Sequence, residues 1–309
     1  MHGRLTGSPQ PIAASLLGKL TFLLTPVWGR VGRAATLALV QRQHHDGHTT
    51  EFTDALRHAH DFFKVLLSTD SHGRPRLPDL VVPITPPNAQ PITVYTDAMF
   101  KPHRKRSRQS TPWPPTDEWA DWPDDTCHDL TTDYDARLGI VIHDPAAWDG
   151  RTNSMGLTLY ASSVPSDAVR RTFSPDKRTY ITQLEMLAAV TTYRAAPAFA
   201  HAGVNLARRN VNHWIDNTGT LSGLIHGYAR ATDLAHMANA FHLTTCGMRT
   251  HTWLDYVPSL ANIADLPSRG DFELLERLGA RRVEVPVVGT ADWHGPLAQW
   301  IDSAAAASS

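Results

Sequence analysis

The chain has 309 residues, of which 42% are hydrophobic, so it can form one good-sized domain together with a smaller one or flanking segments. Its formal net charge of −1 gives no global argument for a nucleic-acid or membrane partner. Its two cysteines, Cys127 and Cys246, exclude a zinc ribbon or a disulfide framework. This cysteine usage fits a reducing, intracellular compartment, either cytoplasm or nucleus.

The N-terminal part of the chain is predicted to be helical. Residues 13–42 indicate one helix, a break at Pro26 and a second helix. The apolar run "SLLGKLTFLLTPVW" within it is interrupted by Lys19 and Pro26, and it is too short to cross a bilayer. It also lacks the small-residue cleavage site of a signal peptide. We therefore expect no transmembrane segment, no signal peptide and no membrane partner.

A third helix is predicted before a proline-rich linker. The stretch "TTEFTDALRHAHDFFKVLLS" offers Thr49 or Thr50 as a helix cap. Its apolar residues recur at helical spacing, namely Phe52, Leu56, Phe63 and Leu66. The linker "GRPRLPDLVVPITPPNAQP" follows, and a domain boundary near residue 90 is predicted within it. The predicted divisions are therefore residues 1–89, 90–285 and a C-terminal tail at 286–309.

Beyond the linker, the pattern predicts an α/β domain. Five strands are expected, at residues 92–100, 136–144, 155–164, 210–216 and 248–257. Helices are expected at residues 179–195, 218–229 and 232–245, and a broken pair at 262–280. Residues 100–136, rich in proline, tryptophan and charge, are expected to form a long insertion of low order. A hairpin-rich run followed by β-α-β crossovers predicts a mixed sheet with helices on both faces.

Four acids stand out by their positions in these elements. Asp97 lies near the end of the first strand, and Asp216 ends the fourth. Glu185 lies among apolar residues of a helix, and Asp265 begins the last helical segment. If the first and fourth strands are parallel neighbours, their carboxyl ends lie side by side, where open α/β sheets place their sites.

Carboxylates gathered in one crevice repel one another unless a cation holds them. Oxygen ligands favour a hard ion, so two Mg²⁺ ions, or Mn²⁺, are expected over zinc. Such a pair stabilises the attacking and leaving oxygens of a phosphodiester. Other readings of each acid remain: Asp216 could cap the next helix, Glu185 could lie on a solvated face, and Asp265 could belong to a turn.

Four segments resemble, in order, the acidic motifs of the ribonuclease H domain of retroelement reverse transcriptases, nearest to the long-terminal-repeat and DIRS-like elements. They are "ITVYTDA", "TQLEMLAAV", "WIDNTGTLSGL" and "PSLANIADLPSRG". The most specific of them is "NIADLPSR", and the resemblance covers about residues 91–270. Upstream, "ASLLGKLTFLLTPVWGRVGRA" looks like the thumb or connection segment of such an enzyme. No Y-x-D-D-like polymerase motif occurs in the chain.

The resemblance implies a ribonuclease H-like sheet of five strands at residues 90–285, preceded by a thumb-like or connection-like segment at 1–89. It also implies that two Mg²⁺ ions are bound by Asp97, Glu185, Asp216 and Asp265. The implied activity is hydrolysis of the RNA strand of an RNA–DNA hybrid, leaving a 3′-hydroxyl and a 5′-phosphate. The chain would then be the C-terminal part of a retroelement polyprotein or its descendant, and a reverse-transcriptase polymerase domain is an implied partner.

Several polar residues are candidates for contact with nucleic acid. They are Asn217, Lys101, Arg104, Lys105, Arg106 and Arg269. The dense basic stretch "KPHRKRSRQ" could grip phosphates. It could equally be a solvated loop or a nuclear-localisation segment. Asn217 could instead cap a helix, and Arg269 could belong to a helix-end turn.

Two other functions compete with the nuclease. A catalytically silent nucleic-acid-binding or connection-domain remnant would keep the fold without the chemistry, although it has no physical reason to keep four mutually repelling acids. A transposase or integrase of the same fold is disfavoured by the order of the acids, because the glutamate precedes the second aspartate.

Overall fold

The computed structural model describes residues 9–45, 50–69, 72–75, 77, 90–102, 134–173 and 179–285. The predicted C-terminal tail at 286–309 lies outside the described residues.

Three helices form the N-terminal part: α1 at Pro9–Trp28, α2 at Arg33–His44 and α3 at Asp54–Leu66. The predicted break at Pro26 is wrong, because α1 continues through this residue to Trp28. Pro26 lies two residues before the helix ends, so its missing N–H removes a single hydrogen bond near the end of α1. The chain instead turns at Gly29 and Gly32, whose φ angles are 63° and 83°, a region that favours glycine.

Within the described residues, α1 is the one helix whose length and apolar composition would allow it to cross a membrane. The expectation that Pro26 divides this segment does not hold, since the helix is continuous. Core helices of globular proteins and signal sequences have the same length and composition, so the property by itself assigns no membrane.

Helix α3 begins later than predicted. Thr53, rather than Thr49 or Thr50, caps it by accepting a hydrogen bond from the Leu56 N–H at 3.4 Å. Phe52 therefore precedes the helix and is 49% exposed. The other apolar residues of the predicted stripe are buried, as expected, and they are Leu56, Phe63 and Leu66.

A six-stranded mixed sheet follows. The strands are β1 at Ile92–Pro102, β2 at Tyr134–Asp149, β3 at Ser154–Ser163, β4 at Asn210–Ile215, β5 at His251–Tyr256 and β6 at Arg281–Arg282. Their order is β5-β4-β1-β2-β3-β6, and β2 alone runs antiparallel to its neighbours. The five predicted strands are confirmed. The sixth has only two residues and pairs with β3, too short to leave a pattern in the sequence.

The hairpin of β1 and β2 extends into the predicted insertion. The two strands remain paired as far as Pro102 and Tyr134, so the segment 100–136 begins and ends as regular sheet. Residues 103–133 lie outside the described residues.

Helices cover both faces of the sheet, as predicted. They are α4 at Asp167–Arg170, α5 at Ile181–Arg194, α6 at Ala196–His201, α7 at Thr218–His226, α8 at Thr232–Gly247, α9 at Asp265–Arg269 and α10 at Glu273–Arg277. Helices α5 and α8 pack against each other in the main core, and α5 lies on β2, whose Leu138, Ile140 and Ile142 belong to the same core. Helices α9 and α10 cover the other face, where Val141 and Tyr160 lie. This alternation follows from the two-residue period of a strand.

The N-terminal helices share the main core with the sheet. Leu24, Trp28 and Leu66 belong to the same buried cluster as Ile92 and Phe241. Helix α2 packs against α8, so buried apolar contacts continue across the predicted boundary near residue 90.

Candidate metal centre

The parallel pairing of β1 with β4 determines where two of the predicted acids lie. Thr96 and Ile215 form the last pair in this register. Asp97 and Asp216 each follow one of these residues, so their carboxylates lie side by side where β4 ends. Asp97 does not lie near the end of its strand, as predicted, because β1 continues in its pairing with β2 to Pro102. The expected parallel arrangement of these two strands is confirmed.

Glu185 comes to the same point from helix α5, which packs on β1 and β2. Its side chain is not on a solvated face, because only 3% of the residue is exposed. One carboxylate oxygen from each of Asp97, Glu185 and Asp216 lies within 4.8 Å of the other two. The three carboxylates therefore lie together although they belong to β1, to α5 and to the end of β4, which are far apart in the sequence.

Two oxygens of this cluster are buried without a hydrogen-bond partner among the described residues. They are Glu185 Oε2 and Asp216 Oδ1. A buried polar atom without a partner costs free energy, so such atoms commonly belong to a site that is completed by a ligand. The donors here are all carboxylate oxygens, which suit a hard divalent cation such as Mg²⁺ or Mn²⁺. The residues present therefore fit such an ion.

Without a cation, burial raises the pKa of both inner acids. The pKa of Glu185 is raised to about 10, chiefly by burial and then by the charges of Asp97 and Asp216. Burial also raises the pKa of Asp97 to about 6, against a hydrogen bond from Ser268 that lowers it. Glu185 and Asp97 share a hydrogen bond, which keeps the proton on Glu185 at neutral pH.

The fourth predicted acid, Asp265, does not join the cluster. Its Oδ1 accepts a hydrogen bond from Arg269 Nε at 2.7 Å, an ion pair across one turn of α9. Asp265 is near enough for its charge to raise the pKa of Asp97. The structure therefore brings three of the four predicted acids together and leaves the fourth beside them.

Helix α9 is held against the cluster by two side chains of the segment "NIADLPSR". Asn262 Nδ2 donates to the carbonyl oxygen of Thr96 at 3.0 Å, which fixes the segment to β1 beside Asp97. The hydroxyl of Ser268, fully buried, donates to Asp97 Oδ2. This hydrogen bond orients the Asp97 carboxylate, as partners of metal ligands commonly do.

Gly139 makes this close approach possible. It pairs with Asp97 across β1 and β2 and lies under α9. A Cβ atom at this position would be 2.2 Å from the Ala264 carbonyl oxygen and 2.5 Å from the Ser268 backbone nitrogen. Sequence reasoning did not single out Gly139, because a lone glycine in a strand carries no signal of what packs on it.

A buried network of polar side chains connects β1, β4 and α5. Thr96 Oγ1 lies 2.9 Å from His213 Nε2, and the Tyr193 hydroxyl lies 3.2 Å from His213 Nδ1. Burial lowers the pKa of His213 to about 3, so the imidazole is neutral at physiological pH. Sequence reasoning also missed this network, whose signal was a histidine at the alternate position between Val211 and Ile215, on the buried face of β4.

Asn217, Lys101 and Arg269 lie outside the three-acid cluster. Asn217 caps α7, since its Oδ1 accepts a hydrogen bond from the Thr220 N–H at 2.9 Å, so Asp216 does not serve as the cap. Lys101 is exposed near the end of β1, and Arg269 is paired with Asp265. The other three basic candidates lie outside the described residues, namely Arg104, Lys105 and Arg106.

No protein-family model matches the chain, and no curated protein sequence matches it. The chemistry of the site is therefore inferred from its own residues.

Proposed function

We propose that the chain is a metal-dependent endonuclease of the ribonuclease H type, which hydrolyses the RNA strand of RNA–DNA hybrids. The observation that carries this proposal is the convergence of Asp97, Glu185 and Asp216 within 4.8 Å of one another. The strand order and the helices on both faces are consistent with a ribonuclease H-like fold. The order of the acids along the chain and the segment "NIADLPSR" support the same assignment.

Asp97, Glu185 and Asp216 would hold Mg²⁺ or Mn²⁺, and Asp265 would complete the set after release from Arg269. When bound, such ions supply Lewis-acid stabilisation of the scissile phosphate and lower the pKa of the attacking water. The chain's own contribution is to keep these carboxylates in one arrangement. Ser268 orients Asp97, and α5 holds Glu185 beneath the edge of the sheet.

In the proposed reaction, water attacks the phosphorus of the RNA strand and the bond from phosphorus to the 3′-oxygen breaks. The products are a 3′-hydroxyl and a 5′-phosphate. The hybrid would be recognised by groove shape, phosphates and 2′-hydroxyls rather than by base sequence. Lys101 and the basic stretch that follows it would contact phosphates, and a polymerase domain of a reverse transcriptase remains a proposed partner.

Cleavage of a labelled RNA–DNA hybrid tests this proposal. The full chain, with Mg²⁺, should cut the RNA strand, and EDTA should abolish cutting. Asp216→Asn should reduce the rate by at least about a hundredfold, because a ligand of the reacting centre is lost. Asp61→Asn removes an exposed carboxylate on α3 and should leave the rate unchanged. Undiminished cutting by Asp216→Asn would overturn the proposal.

One observation favours a second candidate, a catalytically silent nucleic-acid-binding or connection-domain remnant. Asp265 is engaged by Arg269 and lies outside the three-acid cluster. A silent remnant would bind the hybrid without cutting it at any concentration of Mg²⁺ or Mn²⁺. The same assay, combined with a measurement of hybrid binding, therefore separates the two functions.

A further inference from the structure

Three aromatic side chains lie in a row on one face of the sheet. The register pairs Tyr95 on β1 with Trp214 on β4, and it pairs Asn212, two residues before Trp214, with Trp253 on β5. Paired residues of neighbouring strands and alternate residues of one strand share a face of the sheet. Tyr95, Trp214 and Trp253 therefore lie on the same face, and we call them the aromatic strip.

The aromatic strip shares its face with the acids of the proposed metal centre. Asp97 follows Tyr95 by two residues, and Asp216 follows Trp214 by two residues. Ser268 of α9, the helix that covers β1 on this face, donates a hydrogen bond to Asp97. Because two residues span roughly 7 Å along a strand, the strip begins about that far from the carboxylates.

The strip continues from the covered part of this face onto an open part. Helix α9 lies over β1, β2 and β3, whereas the helices that contact β4 and β5, namely α7 and α8, pack with α5 on the opposite face. Tyr95 and Trp214 are accordingly half-buried, and Trp253 is 68% exposed. Strand β5 is also an edge of the described sheet. An exposed tryptophan on an edge strand favours aggregation, so its presence indicates a contact with a partner.

The geometry of the strip suits planar rings. The rings of Tyr95 and Trp214 have centroids 6.4 Å apart and planes inclined by only 19°. Trp253 is the diagonal neighbour of Trp214, a spacing that aromatic side chains can reach across. Asp255, exposed and directly across from Trp214, makes the same surface unfavourable for phosphate groups. The strip therefore favours the flat faces of uncharged rings.

We propose that the aromatic strip binds unpaired bases of a nucleic-acid strand. Bases would stack on Trp253 and Trp214, and the phosphates would be directed away from Asp255 into solvent. This choice of partner rests on the proposed nuclease function, because a strand with a phosphate at Asp97 and Asp216 can continue over the same sheet face. Stacking tolerates any sequence, since every base has a flat π surface. The strip would thus hold a single-stranded segment beside the cleavage site.

Fluorescence anisotropy with labelled single strands of DNA tests the proposal. One probe is an oligothymidine of about 15 nucleotides, and the other is an abasic strand of the same length, which keeps the phosphates and lacks the bases. The full chain, in EDTA, should bind the oligothymidine at least about tenfold more tightly than the abasic strand. Trp253→Ala should weaken binding of the oligothymidine by about five- to a hundredfold, because stacking is lost, and should leave binding of the abasic strand unchanged.

Trp148→Ala is the matched control, since it removes a tryptophan that is 56% exposed near the turn between β2 and β3. Thermal unfolding establishes that each variant is folded before the measurement. Equal affinity for the two probes, or an unchanged affinity of Trp253→Ala for the oligothymidine, would overturn the proposal. A dimer that binds no oligothymidine and dissociates in Trp253→Ala would also overturn it, because a second copy would then occupy the strip.

Cleavage of the RNA–DNA hybrid is measured separately, so the two proposals can fail independently. Hybrid cleavage together with equal affinity for the two probes would overturn the strip alone. Preference for the oligothymidine without hybrid cleavage would support the strip and favour the catalytically silent nucleic-acid-binding function.

Discussion

At the scale of single residues, Glu185 carries the largest electrostatic cost of the cluster. It is 3% exposed, one of its oxygens has no partner in the described structure, and Asp97 and Asp216 face it. A glutamate in such a place stabilises nothing in the absence of a cation. The burial of Glu185 is therefore explained by a role in the proposed metal site and not by a contribution to the stability of the fold.

Glu185→Gln should stabilise the metal-free protein, because glutamine keeps the shape of the protonated acid without its tendency to ionise. We expect the free energy of unfolding at pH 8 in EDTA to rise by about 1–3 kcal/mol. Urea denaturation measures this change. Glu273→Gln, which changes an exposed side chain of α10, is the control. It should change the free energy of unfolding by less than about 0.5 kcal/mol. A less stable Glu185→Gln protein would show that the carboxylate supports the fold.

The free energy of unfolding of the metal-free protein should decrease as the pH rises. The pKa of Glu185 in the folded state is about 10, above its ordinary value of 4.5, and that of Asp97 is about 6, above 3.8. Between the ordinary and the raised pKa of each acid, the folded state therefore binds more protons than the unfolded state. The metal-free protein should lose stability as pH rises from about 5 to 8, and the Glu185→Gln protein should lose less. Parallel curves for the two proteins would contradict this assignment.

At the scale of elements, the cluster depends on how α9 lies on β1 and β2. Asn262 fixes the start of this segment to Thr96, and Ser268 contacts Asp97. Gly139 leaves the space for this segment, so two residues near α9 and a glycine more than a hundred residues earlier set one local geometry.

Gly139→Ala should displace α9, because the added methyl group would meet backbone atoms at 2.2 and 2.5 Å, which cannot move alone. We expect a loss of about 1–3 kcal/mol in the free energy of unfolding. Hybrid cleavage should fall as well, since Ser268 moves with α9. Gly150→Ala is the control, because no atom lies within 4 Å of its added Cβ. Equal stability of the two variants would exclude the close packing described for α9.

The elements also show which parts of the site could be predicted from sequence. Strand composition placed Asp97 near the end of one strand and Asp216 at the end of another. β4 does end before Asp216, whereas β1 continues through Asp97 to Pro102. A glutamate among apolar residues of a helix indicated burial of Glu185. The location of Asp265 could not be predicted, because a local ion pair with Arg269, four residues later, competes with the cluster. The role of Gly139 depends on a helix more than a hundred residues away, which no local pattern encodes.

At the scale of the whole molecule, the predicted boundary near residue 90 does not coincide with a gap in the core. Leu66 on α3 is fully buried in the same cluster as Ile92 on β1. The proline-rich composition of the linker predicted a division of the sequence. Composition alone does not indicate how the packed faces on either side of a linker meet.

Leu66→Ala should therefore destabilise the entire molecule by about 2–5 kcal/mol, the usual effect of a cavity in a core. Tryptophan fluorescence and far-ultraviolet circular dichroism should report one shared transition. Leu67→Ala, at a neighbour that is 44% exposed, should have a much smaller effect. A shift confined to a separate N-terminal transition would show that the two parts fold independently.

If Asp97, Glu185 and Asp216 form a centre for divalent cations, the full chain binds Mn²⁺. Titration followed by electron paramagnetic resonance counts bound ions without relying on a substrate. Mn²⁺ should bind saturably and be displaced by Mg²⁺, and Asp97→Asn should weaken this binding by at least about tenfold whereas Asp61→Asn should leave it unchanged. Binding that is not saturable, or that is equal in all three proteins, would contradict the claim.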